Sequence, residues 1–129
     1  MKLYLVRHAD AVPGDPDELR PLSDEGREQA LALGERLKEE SVDLVLTSPL
    51  LRARETGEGL GRATGSPTQT DPRLAPGATA EAVRAAVAGR GERVVVVGHQ
   101  PDCGRVAAAL TGGAEPSFPP GGMIVIDLP

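Results

Sequence analysis

Apolar and polar positions along the chain follow two different spacings. Four short apolar runs, KLYLV at 2–6, VDLVLT at 42–47, RVVVVG at 93–98 and MIVIDL at 123–128, read as strands. The first and third are nearly all apolar, as strands buried on both faces are. Between the runs, apolar residues recur at helical spacing. Ser23 is the expected N-cap of a helix with Asp24 and Glu25 in its first turn. Its apolar stripe is Ala30, Leu31, Leu33 and Leu37, and it ends near Glu40. Ser48 is the expected cap, and Pro49 the first residue, of a second helix running to about Leu60. Thr79 caps a third through Ala88, and a fourth runs from about Pro101 to Leu110. A short strand near Thr68–Thr70 follows the break at Gly65–Pro67. Strands that alternate with helices predict an α/β three-layer sandwich with a mostly parallel central sheet. No repeat, low-complexity tail or linker divides the sequence, so residues 1–129 are read as one domain.

Composition narrows the function classes. Aromatic residues make up only 2%, so the core falls to Val, Leu and Ala, and no stacking platform for RNA is available. The net charge of −5 and the lack of a basic stripe argue against a nucleic-acid partner. Cys103 is the single cysteine, which excludes an intrachain disulfide and a paired-cysteine zinc site. The apolar run Leu3 to Val6 is too short for a signal peptide or a membrane span, and a cytoplasmic protein without a membrane partner is expected.

The chemistry sits where the strands stop. In open α/β sheets, ligands bind beyond the carboxyl ends of the strands. The first strand ends in Arg7-His8, the second in Thr47-Ser48 with Arg52 one turn further on, and the run 93–98 in Gly98-His99. If these strands are parallel, both histidines of the protein and two arginines share one rim. Guanidinium forks match phosphate oxygens in pairs and keep their charge. Helix N-termini at Ser48 and near Pro101 would add inward-pointing amides. Such a site suits a compact dianion such as a phosphoryl group. Nearby cations depress a histidine's pKa and leave its lone pair free, so a neutral imidazole facing a clamped phosphoryl group is a nucleophile. The implied chemistry is phosphoryl transfer through a phosphohistidine intermediate, followed by hydrolysis.

VRHADA, SPLLRARET and VVGHQP resemble, in order and spacing, the three motifs of the histidine phosphatase superfamily, which includes the phosphoglycerate mutases. RPLSDEG and the small size are most similar to the SixA-type phosphohistidine phosphatases. The resemblance implies a phosphoglycerate mutase-like fold. It implies His8 as nucleophile, with Arg7, Arg52 and His99 holding the phosphate and stabilising the transition state. Arg20 and Ser48 are further candidate contacts. No metal and no cofactor are implied. The substrate would be a phosphorylated protein, such as a histidine phosphotransfer-type domain, or a small phosphorylated molecule.

Two departures refine this. The usual glycine after the nucleophile is Ala9. Larger members carry a mid-chain acidic proton donor, and DPRLAPGATAEAV offers only Asp71 and Glu81, neither well matched. A missing acid matters for an alkoxide leaving group and less for an imidazole, which is readily protonated near neutral pH. That favours phosphohistidine over sugar or glycerate phosphates.

Other chemistries fit these residues less well. A metal site from the histidines with Asp10 and Asp102 would set a cation beside arginines. A cysteine phosphatase needs an arginine several residues beyond Cys103, and Arg105 comes too soon. Arg20 could simply pair with Asp17 or Glu18. A phosphatase of small phosphometabolites, or a non-catalytic phosphoprotein-binding module, would use the same pocket. Asp10 borders it without a definite role.

Overall fold

A computed structural model describes residues 1–129. Strand β1 (Lys2–Arg7) leads to helix α1 (Asp24–Leu37), and β2 (Leu44–Thr47) to α2 (Leu51–Thr64). Then follow β3 (Thr68–Thr70), α3 (Ala80–Val87), β4 (Arg93–Gly98), α4 (Asp102–Thr111) and β5 (Met123–Asp127). The sheet order is β3-β2-β4-β1-β5, with the first four strands parallel and β5 antiparallel at the edge. This is the expected α/β sandwich.

Side-chain alternation along each strand builds two cores. Leu3, Leu5, Leu44, Leu46, Val94 and Val96 face α3 and α4, where Val83, Val87, Val106 and Ala107 meet them. Tyr4, Val6, Val45, Val95 and Val97 face α1 and α2, meeting Leu33, Leu37, Ala53 and Leu60. Each Val or Leu buried in this way contributes roughly 1.5–3 kcal/mol.

The topology decides where a ligand can enter. The connections from β1 and β2 run across one face through α1 and α2, and those from β3 and β4 across the other through α3 and α4. The chain therefore parts between the neighbouring strands β1 and β4, which makes their carboxyl ends a topological switch point. Register levels those ends. Arg7 lies opposite Gly98, and Thr47 opposite Val97. The ladder runs one residue further, because His8 N–H donates to the Gly98 carbonyl (2.9 Å) and Ser48 N–H to the Val97 carbonyl (3.0 Å).

Three sequence expectations are corrected. Helix α2 begins at Leu51 and runs to Thr64, where Gly65 in the left-handed region (φ 72°) ends it. Ser48 lies three residues ahead of the helix and does not cap it. Leu31 is not on the apolar stripe of α1. It is 71% exposed, and the buried face is Gly26, Ala30, Leu33, Gly34 and Leu37. Glycines belong to that face because neighbours approach closely. A Cβ on Gly26 would collide with the Asp10 carbonyl, in the loop that follows His8. Gly57 plays the same part in α2, since a Cβ there would strike the Thr47 methyl group. Finally, α1 ends at Leu37 rather than near Glu40.

Candidate active site

The rim of β1, β2 and β4 opens into a polar cleft lined by Arg7, His8, Asp10, Asp17, Arg20, Arg52, His99 and Gln100, with Ala11, Pro76 and Pro120 at its edges. Both histidines are there, with ring centroids 5.1 Å apart.

His8 is held in one orientation and one tautomer. Its Nδ1 lies 2.8 Å from the Ala9 carbonyl, which only accepts, so Nδ1 carries the proton and Nε2 the lone pair. Arg52 Nε stands 3.3 Å from that Nε2. The backbone N–H of Ala9 donates to Thr56 Oγ1 (3.0 Å), and the Thr56 hydroxyl donates to the Arg52 carbonyl (2.8 Å). Thr56 thus ties the His8 loop to the helix that carries Arg52. In the sequence this threonine is only the last residue of SPLLRARET; its role needs the packing of α2 against the rim.

Burial is the largest cause holding the His8 imidazole down at about 4, with the charges of Arg52, Arg7 and Arg20 adding to it against the Ala9 hydrogen bond. His99 is likewise held at about 4, first by burial, then by His8, Arg52 and Arg7, with Asp17 opposing. Nearby cations, the cause expected from the sequence, are the smaller part of this. Desolvation is the stronger effect, because the rim residues sit where strands leave a dry core.

Arg7 NH1 donates to the Phe118 carbonyl (2.9 Å), while its Nε has no partner. His99 Nε2 meets Ser48 Oγ at 2.8 Å, and its Nδ1 is also unpartnered. Buried polar atoms are nearly always bonded. Two of the three that are not, in this protein, belong to cleft residues, and the third, Thr47 Oγ1, ends β2 beside Ser48. Arg52 directs NH1 to the Asp17 carbonyl (2.9 Å) and NH2 to its carboxylate (3.2 Å).

The remaining expected residues separate. Arg20 lines the cleft and pairs with Asp17 (2.9 Å). Ser48 is fully buried behind His99 and does not line the cleft, so the expected direct substrate contact gives way to a contact with the histidine. Asp10 accepts from the Ser23 hydroxyl (2.6 Å), and Ser23 caps α1 by accepting from Gly26 N–H (3.0 Å). Asp10 therefore fastens the loop after His8 to a helix start. Asp71 is bound by Arg73 (2.7 Å), and Glu81 is exposed at the start of α3. Asp102 accepts from Gly77 N–H (2.7 Å). The carboxylates lining the cleft are Asp10 and Asp17, both already engaged. Cys103 is buried with its thiol pushed up to about 12, too high for a nucleophile near neutral pH.

A cleft of neutral imidazoles among fixed guanidinium groups, at the switch point of an α/β sheet, suits an anionic phosphoryl group. The comparisons agree with that chemistry. The family model of the histidine phosphatase superfamily (branch 1) matches residues 3–76, and the chain belongs to this superfamily. It is 32% identical over 125 residues to phosphohistidine phosphatase SixA of Escherichia coli, covering 90% of this chain and 78% of that protein. Over 81 residues it is 33% identical to the probable phosphoglycerate mutase GpmB of Photorhabdus laumondii, covering 57% of this chain and 37% of that protein. The solved structure of the protein histidine phosphatase SixA complexed with tungstate superposes with a TM-score of 0.90 at 28% identity, covering 99% of this chain and 88% of that one. The fold is phosphoglycerate mutase-like, and the chain is a histidine phosphatase. No helix is long and apolar enough to cross a membrane.

Proposed function

We propose that this phosphatase hydrolyses phosphohistidine on a protein, through a phosphohistidine of its own. The Nε2 lone pair of His8 attacks phosphorus in line. The bond from phosphorus to the substrate's ring nitrogen breaks, and that nitrogen leaves with the electron pair and takes up a proton from solvent. Water then attacks the phosphorus on His8, the P–Nε2 bond breaks, and inorganic phosphate leaves. Arg7, Arg52 and His99 hold the equatorial oxygens and meet the developing charge. The guanidinium groups supply that charge, so the reaction is metal-independent and needs no cofactor. The partner is a histidine phosphotransfer-type domain in the cytoplasm.

The observation that carries this reading is the pairing of a neutral, oriented His8 Nε2 with a cleft whose carboxylates are both engaged. An imidazole leaving group needs little help from an acid; an alkoxide needs much. The name and fold of the SixA relatives support the same substrate. Similarity to a probable phosphoglycerate mutase favours a second reading, in which small phosphometabolites are the substrates.

The test is turnover of a phosphorylated histidine phosphotransfer domain beside a panel of sugar and glycerate phosphates. The wild type should show the higher kcat/KM on the phosphoprotein, and His8→Ala should abolish turnover. Unchanged activity in His8→Ala would overturn the mechanism, and preference for the metabolites would establish the second reading.

A further inference from the structure

Ser48 and His99 form a pair whose proton count has only one economical solution. The Ser48 backbone is fixed to β4 through the Val97 carbonyl (3.0 Å), and its side chain is fully buried. Its Oγ already accepts from the Leu50 N–H (3.2 Å). Its own hydroxyl proton then has one acceptor within reach, the His99 Nε2 at 2.8 Å. A serine hydroxyl has one proton to give, and a neutral imidazole has one N–H and one lone pair.

If His99 carried its proton on Nε2, the Ser48 hydroxyl proton and the Nδ1 lone pair would both be buried without partners. With the proton on Nδ1, Ser48 and Nε2 satisfy each other, and Nδ1–H alone is left over. Nδ1 is the ring nitrogen without a partner, on a residue that lines the cleft and is 4% exposed. A phosphoryl group offers only acceptor oxygens, so a donor there attracts it and a lone pair repels it.

We propose that Ser48 is a positioning residue, whose hydroxyl donates to His99 Nε2 and so holds His99 in the tautomer that presents Nδ1–H to the phosphoryl oxygen. The inference rests on the proposed role of His99 in holding phosphate. It replaces a direct contact between Ser48 and substrate with an indirect one.

Nitrogen-15 NMR of the histidine rings reads the tautomer without any turnover. In the wild type, His99 should be neutral and protonated on Nδ1 from pH 6 to 8. In Ser48→Ala, the population should move towards Nε2–H, and kcat/KM should fall about 10- to 100-fold, the scale for weakening one oxyanion donor. Ser48→Thr, which keeps the hydroxyl, should restore both. An Nε2–H tautomer in the wild type would overturn the proposal, as would a Ser48→Ala protein with unchanged tautomer and unchanged kcat/KM. Since the wild-type spectrum alone tests the pair, poor folding of a variant leaves the proposal exposed. The phosphatase mechanism itself stands or falls with His8→Ala, which leaves Ser48 and His99 in place.

Discussion

The two ends of the sheet carry similar residues and put them to opposite uses. At the amino end, the Tyr4 hydroxyl donates to Glu40 (3.1 Å), Arg93 donates to the Tyr4 oxygen (3.2 Å) and Glu40 stands 3.8 Å from Arg93. Asp43 accepts from the backbone N–H groups of Glu92 (2.8 Å) and Arg93 (3.0 Å). Each of these groups finds its partner inside the protein. At the carboxyl end, Arg7 Nε and His99 Nδ1 find none, and the His8 Nε2 lone pair has only a long contact, the 3.3 Å donation from Arg52 Nε. The presence of charge does not separate a site from a structural cluster here. What separates them is hydrogen-bonding capacity left over after the fold has satisfied itself.

Breaking the carboxyl end should cost far more activity than breaking the amino end. Beyond His8→Ala, the largest effect is expected from Arg52→Ala. It removes the fork beside Nε2, and kcat/KM on a phosphoryl substrate should drop about 10²- to 10³-fold. A loss below tenfold in steady-state assays would remove Arg52 from contact with the substrate.

The next effect is on pH dependence. Both imidazoles are held at about 4 against an ordinary 6.5. They stay neutral as the pH falls through 6.5, so kcat/KM, corrected for substrate ionisation, should hold its neutral value there and drop only towards pH 4. An acid limb at 6.5 would contradict the buried, neutral His8. Stability carries the same signature. Between about 6.5 and 4 the unfolded chain binds protons that the folded chain refuses, so stability is flat above that window and falls as the pH drops through it. Urea midpoints across pH would trace the fall.

The smallest effect sharpens the contrast from the other side. Arg93→Ala breaks a half-exposed ion pair, worth about 0–1 kcal/mol. The urea midpoint should shift slightly and kcat/KM should change less than twofold. A large loss of activity would couple the amino end to the site and end the distinction.

Much of this was legible beforehand because it depends on local pattern. The runs at 2–6 and 93–98 announce buried strands, and Arg7, His8 and His99 follow them directly. Arg52 was legible through its place one turn beyond a strand end. The misplaced side chains turn on neighbours distant in sequence. Leu31 looks apolar enough to be core, yet α2 packs against the glycine side of α1 and leaves it in solvent. Ser48 has the composition of a cap, but its hydroxyl is held by a histidine 51 positions away. The role of Thr56 exists only because α2 lies against the rim, 47 positions from Ala9.

By itself, then, the sequence determined the elements, the parallel α/β plan and the set of residues delivered to one rim, because strand burial and helix periodicity are short-range properties. Tertiary structure alone decided which of those residues keep a polar atom without a partner. Pairing is settled by whichever group lies within about 3 Å after folding. Arg52 and Asp17, Asp10 and Ser23, and Ser48 and His99 are brought to that distance by register and helix packing, which no local pattern encodes.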